Sequence, residues 1–164
     1  MRLLYLITRA EPGGAQVHLL ELLRGFRDRA ELHLGVGEDQ DGFLVEEARA
    51  LGVRVHLLRH LVQPVRPVKD FRGLFEVMAL LRKVRPHLLH AHSSKAGFLG
   101  RLAGRALGVK SVFTAHGWAF TDGVPEGMKR LALSMERLAG RLGDLVLAGS
   151  EYDRALALRH KVAP

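Results

Sequence analysis

The 164-residue chain contains no cysteine. That removes disulfides, thiolate metal sites and cysteine nucleophiles together. Asparagine is absent as well, and arginine far outnumbers lysine. Loss of asparagine and cysteine fits a heat-adapted source, and a GC-rich genome also favours arginine. No apolar run approaches the ~20 residues of a membrane span. The opening "MRLLYLITR" is too short and too soon charged for a secretory signal, which points to a cytoplasmic protein. There is no G-x-G-x-x-G dinucleotide fingerprint and no Walker loop. Helix-turn-helix, RRM and KH signatures are also missing.

What is present describes a folded domain. Apolar residues make up 48% of the chain and charged residues 26%, a globular composition long enough for one compact domain with a full core. The formal charge of +8 suits an anionic partner: a phosphate ligand, an anionic lipid surface or nucleic acid. The missing signatures make nucleic acid the weakest of the three.

Short β-prone runs alternate with amphipathic helices. Strands are predicted at 3–8, 31–36, 53–57, 88–91, 111–115 and 145–148. Most are apolar throughout rather than alternating, as parallel strands buried on both faces require. Leu19, Leu22, Leu23 and Phe26 keep helical spacing, as do Phe71, Leu74, Phe75 and Met78 ahead of Pro86. Leu131, Met135, Leu138 and Leu142 share one face of a later helix. Six β–α repeats imply an α/β fold, a doubly wound parallel sheet of about six strands with right-handed crossovers. The stretch "LVQPVRPVKD" at 61–70 reads as an exposed loop.

In open α/β sheets ligands sit beyond the carboxyl ends of the strands, so those ends select the residues of interest. After the first strand comes "EPGGAQVHLL". Gly13 and Gly14 let the backbone approach a ligand, and a helix starting near Gly14 favours an anion; the alternative is an ordinary βα turn. After the fourth come His92, Ser93, Ser94 and Lys95, a second plausible anion site in which a serine also serves as N-cap. Gly100, Gly104 and Gly108 in the next helix are spaced for close packing. After the fifth come His116, Gly117, Trp118 and Phe120. The histidines are structural, or they hydrogen-bond a polar substrate, or His90, His92 and His116 form a three-histidine metal set. Trp118 and Phe120 line a sugar-binding mouth or pack a long loop. Arg130, Arg137 and Arg141 on one helix, and Arg54, Arg59, Arg66, Lys69 and Arg72 around the proline loop, are a solvated surface or contacts to anionic lipid.

The stretches "EPGGAQVHLLELLRGF", "HLLHAHSSKAGFLGRLAGRALGV", "VFTAHGWAF" and "DLVLAGSEYDR", in this order, resemble the N-terminal half of a family 4 glycosyltransferase. The "HSSKAG" and "TAHGWAF" forms are most similar to members that build bacterial polysaccharides or lipid-linked oligosaccharides. The resemblance implies one half of a GT-B fold, in which two Rossmann-like domains face each other across a cleft. It implies that Gly13 and Gly14 approach the donor diphosphate and that His116 hydrogen-bonds the donor sugar as the catalytic residue. His92, Ser93, Ser94, Lys95, Trp118 and Phe120 would lie toward the acceptor. The donor would be a nucleotide sugar, UDP-linked, the acceptor a glycan or polyprenyl-linked sugar, with no metal or other cofactor. Transfer would retain anomeric configuration, and no paired carboxylates mark a double displacement. An inner-membrane surface is the expected location of such a reaction.

The family commonly has Glu after "GGA", where this chain has Gln16. In the family a basic pair and an E-x7-E motif lie in a second, donor-binding domain, which residues 1–164 do not span. The expectation is therefore an acceptor-side domain spanning 1–164, either isolated or a half-enzyme pairing with a separate donor-binding chain, and inactive alone. Two competing readings remain: a non-catalytic module for a phosphorylated or lipid-linked ligand, and a small metal-dependent hydrolase using His90, His92 and His116.

Overall fold

A computed structural model describes residues 1–163. Six strands and six helices alternate strictly. They are β1 (Arg2–Arg9), α1 (Gly14–Phe26), β2 (Glu31–Glu38), α2 (Phe43–Ala50), β3 (Arg54–Leu57), α3 (Pro67–Val84), β4 (Leu88–His92), α4 (Ser94–Leu107), β5 (Lys110–Ala115), α5 (Glu126–Leu142), β6 (Leu145–Ala148) and α6 (Glu151–His160). All pairings are parallel, in the order β3-β2-β1-β4-β5-β6. This is the Rossmann-like doubly wound sheet that the apolar runs predict. The winding reverses between β1 and β4, and the carboxyl ends of those neighbours open the crevice where such folds bind ligands.

Alternation along β1 divides the core. Leu4 and Leu6 face one layer, with Val77 and Leu81 of α3 and Ala96 and Leu99 of α4. Leu3, Tyr5 and Ile7 face the other, with Leu19 and Leu23 of α1 and Leu44 and Val45 of α2. Each fully buried leucine contributes on the order of 1.5–3 kcal/mol. Close approaches need glycine: a Cβ on Gly37 would lie 1.8 Å from the Leu61 carbonyl oxygen, and one on Gly97 2.5 Å from the Phe113 ring. Gly100 sits against Leu6, Leu89 and Ala91, so the glycine spacing of α4 serves helix–sheet contact. Gly108 closes that helix in the left-handed conformation at φ 69°.

One sequence expectation changes. The proline stretch is a loop only as far as Arg66. Pro67 opens α3, because its missing N–H and preset φ suit the first helical position. The sequence left open which way the apolar stripe of α5 faces, and it does not face the core. Leu131 is 62% and Leu138 51% exposed, while Glu136, Ala139 and Gly140 are the buried positions. The cause is what α5 packs on. Arg101 of α4 reaches Glu136 at 2.8 Å, both buried, and lies 4.3 Å from the Phe113 ring. A Cβ on Gly140 would stand 2.2 Å from the Val162 carbonyl oxygen. Small residues and one buried ion pair set the inward face, and the larger side chains are left outside.

Candidate functional site

β1, β4 and β5 end side by side. Thr8 at the end of β1 and Ser93 after β4 share a hydroxyl hydrogen bond of 2.8 Å, and the Thr8 N–H donates to Ser93 Oγ at 3.3 Å. Ser93 holds the N-cap position of α4 at φ 71°, but its side chain makes no cap bond. It ties the two strand ends together instead.

Histidines occupy the face beneath α1. In the sheet register His92 stands opposite Thr114, and its ring reaches diagonally to the residue two further on. His92 Nδ1 lies 2.9 Å from His116 Nε2, and the rings are stacked at 5.3 Å. His90, opposite Val112, makes the same diagonal reach, placing its Nε2 2.7 Å from Thr114 Oγ1. His18 of α1 closes the group, its ring 5.1 Å from His116 and 5.9 Å from His92. His116 and His18 are exposed; His92 is fully buried.

Burial sets the charge of this cluster, since taking an imidazolium out of water is costly. It lowers His92 to about 2 and His90 to about 4, with neighbouring histidines adding to both shifts. His116 is lowered by burial and by His18, with Asp153 opposing. Burial alone raises Tyr5, beneath the cluster, to about 12. His90 and His92 are therefore neutral near pH 7. No group of three or more His, Asp or Glu among the described residues is arranged to hold a metal. In the proposed three-histidine set, His90 turns to Thr114 and the other two turn to each other.

The β1–α1 turn lies on the His18 side of this cluster. Gly13 and Gly14 are exposed at the start of α1. Gln16 Nε2 donates to the Arg9 carbonyl at 3.0 Å, folding the side chain back until a Cβ on Gly13 would meet its Oε1 at 2.7 Å. The space around Gly14 is open.

Three expected acceptor residues are not on the surface. Trp118 is 4% and Phe120 1% exposed. They stack at 5.1 Å, and Trp118 Nε1 donates to the Asp153 carbonyl at 2.9 Å. The aromatic pair folds inward and pins the loop after β5 to α6, so no aromatic mouth forms. His92 is likewise behind the surface rather than on it. Lys95 gives its ammonium to Asp70 at 2.6 Å and to the Pro64 carbonyl, so its charge is already matched within the domain. Ser94 and Lys95 do line a groove of about 310 Å³, together with Phe98, Met128, Leu131 and Met135.

Residues 12–164 match the family model of Glycosyltransferase Family 4. The chain belongs to glycosyltransferase family 4. Among curated relatives of this family 4 chain is the Escherichia coli UDP-Gal:alpha-D-GlcNAc-diphosphoundecaprenol alpha-1,3-galactosyltransferase. It is 28% identical over 155 residues, 88% of this chain and 40% of that protein. The E. coli O-antigen biosynthesis glycosyltransferase WbnH is 24% identical over 158 residues, 95% of this chain and 44% of that one. The family 4 chain thus spans less than half of these relatives. Its fold matches Anabaena Alr3699/HepE, solved with UDP and glucose, at TM-score 0.75 and 21% identity, covering 98% of this chain and 41% of that one. Acinetobacter baumannii MurG matches at TM-score 0.66 and 12% identity over 93% of this chain and 42% of that one. The architecture is one half of a GT-B fold.

Proposed function

We propose that these residues form the acceptor-side domain of a retaining glycosyltransferase that moves a sugar from a UDP-linked donor to a glycan or polyprenyl-linked acceptor. The observation carrying this reading is His116. In a family 4 domain it stands exposed at the carboxyl end of β5, its ring 5.1 Å from His18 on the helix that starts at Gly14. His116 then hydrogen-bonds the donor sugar, while backbone N–H groups at Gly13 and Gly14 approach the diphosphate. Ser94 and the groove beside it take the acceptor side. The domain's contribution is positioning and hydrogen bonding rather than covalent chemistry. A second domain, in the same or another chain, grips the nucleotide. The diphosphoundecaprenol substrate of the E. coli galactosyltransferase and the UDP in the Alr3699/HepE structure support this choice of donor and acceptor.

In the complete enzyme, His116→Ala lowers turnover by about 10²-fold or more, with the domain still folded by circular dichroism. Undiminished turnover would remove His116 from the reaction. The 164 residues alone are expected to show no transfer and no tight nucleotide-sugar binding. Tight binding of a lipid-linked or phosphorylated ligand by a gene product with no donor domain would favour the non-catalytic module.

The domain also meets an anionic membrane in this reading. No helix among the described residues is long and apolar enough to cross one. Met128, Leu131, Met135 and Leu138 are exposed on α5, with Lys129, Arg130, Arg137 and Arg141 on the same helix. Apolar residues beside basic ones suit the headgroup boundary. Sedimentation with anionic vesicles, weakened by Leu131→Glu and by salt, is the expected behaviour. Equal sedimentation with neutral vesicles would count against it.

A further inference from the structure

The paired rings of His92 and His116 raise a question of polarity. At 2.9 Å one nitrogen of the pair carries the proton and the other accepts it. If His116 Nε2 donates, a neutral His92 must hold its own proton on Nε2. That atom is buried and has no hydrogen-bond partner. A buried N–H without an acceptor is the rarer and costlier kind of orphan. If His92 Nδ1 donates, only a bare lone pair is left at Nε2.

A second pair in the same sheet shows what the other polarity requires. His33 Nδ1 lies 2.9 Å from His56 Nε2, joining β2 to β3 by the same diagonal reach. There the remaining nitrogen, His33 Nε2, meets Glu31 Oε1 at 3.0 Å. A carboxylate only accepts. His33 therefore carries its proton on Nε2, and Nδ1 takes the His56 Nε2–H. Around His92 Nε2 no carboxylate plays that part.

We propose that His92 is a positioning residue: its Nδ1–H donates to His116 Nε2 and holds His116 as the Nδ1–H tautomer, a hydrogen-bond donor toward the cleft. The free imidazole side chain prefers the opposite tautomer, so the buried neighbour reverses an intrinsic bias. Burial keeps His92 neutral through the physiological range, lowering it to about 2, so the donor does not switch with pH. Held this way, His116 has no bare nitrogen facing the cleft. It can donate to a hydroxyl or phosphate oxygen of the donor, and it cannot take up a proton as a general base. The consequence for transfer rests on the donor-side reading of His116, whereas the tautomer is a property of this chain alone.

Long-range 1H–15N correlation spectra of the uniformly labelled protein at pH 7.5 read each imidazole nitrogen as protonated or bare, with His116→Gln and His92→Leu used for assignment. The expected wild-type pattern is Nδ1–H at His92 and His116, and Nε2–H at His33 and His56. In His92→Leu, His116 shifts toward Nε2–H. In His92→Asn, whose amide N–H sits near the Nδ1 position, it keeps Nδ1–H. A wild-type His116 protonated on Nε2, or averaging between tautomers, overturns the proposal. So does a His116 spectrum unchanged by His92→Leu. The wild-type spectrum decides even where a variant fails to fold. Failure here leaves His116 a possible donor-sugar contact; failure of His116→Ala to affect turnover leaves the tautomer intact.

Discussion

Two histidine pairs bridge neighbouring strands through the same two atoms at the same 2.9 Å, His33–His56 at one side of the sheet and His92–His116 at the carboxyl ends of β4 and β5. The first is closed. His33 is almost buried and both its nitrogens are matched, and Glu31 is held in turn by Arg54 at 2.5 Å. The second is open. His92 has one nitrogen without a partner, and His116 is exposed. Equal geometry therefore does unequal work. Where every polar group is satisfied the pair is cement, and where one is left over the surroundings impose a direction on the bond.

Acid should act most strongly on the cleft side, where burial lowers His90 and His92 far, though burial also lowers His56 of the other pair. His90 and His92 in the fold lie at about 4 and about 2, below the ordinary 6.5. The unfolded chain binds protons first, so their contribution is complete above pH 6.5 and fades as pH falls toward those lower values. By pH 4.5 the loss is roughly 2–3 kcal/mol per ring. Thermal melts between pH 7.5 and 4.5 should show it, and His92→Leu should remove about half of the slope the two rings carry while His33→Leu leaves most of it. An unchanged slope in His92→Leu breaks the contrast.

At pH 7.5 the ranking reverses. His33→Leu strips His56 of its partner and Glu31 of one donor, and should cost about 1–3 kcal/mol in denaturant titration. His92→Leu removes a nitrogen that had no partner and leaves exposed His116 to water. Its stability should stay within about 1 kcal/mol of wild type, while the tautomer of His116 changes. A large loss from His92→Leu would make the cleft pair structural like the other.

Much of this site was legible before the structure. Apolar runs located the strands, the central four because buried parallel strands need them and the edge strands β3 and β6 in spite of their partial exposure, and the position of His116 just past one run put it at the carboxyl edge of the sheet. His18 was missed. A lone histidine on a helix carries no local signal; its only clue is that it sits one helical turn after Gly14, at the end of α1 that faces the crevice. The direction of the α5 stripe was illegible for a related reason. Periodicity shows that Leu131, Met135 and Leu138 share a face, but not what covers it, and here Gly140 and the Arg101–Glu136 pair took the core side. Trp118 and Phe120 were placed in the right loop, yet their direction depended on the Asp153 carbonyl, 35 residues from Trp118.

The sequence alone determined the α/β alternation, the crevice-edge position of His116 and the family, because these rest on local periodicity and on motifs read in order. The tertiary structure decided the rest. Strand order set β4 beside β5, a diagonal reach set His92 against His116, and burial left one nitrogen without a partner. None of those is local, since each depends on which distant segments exclude water from the same few ångströms.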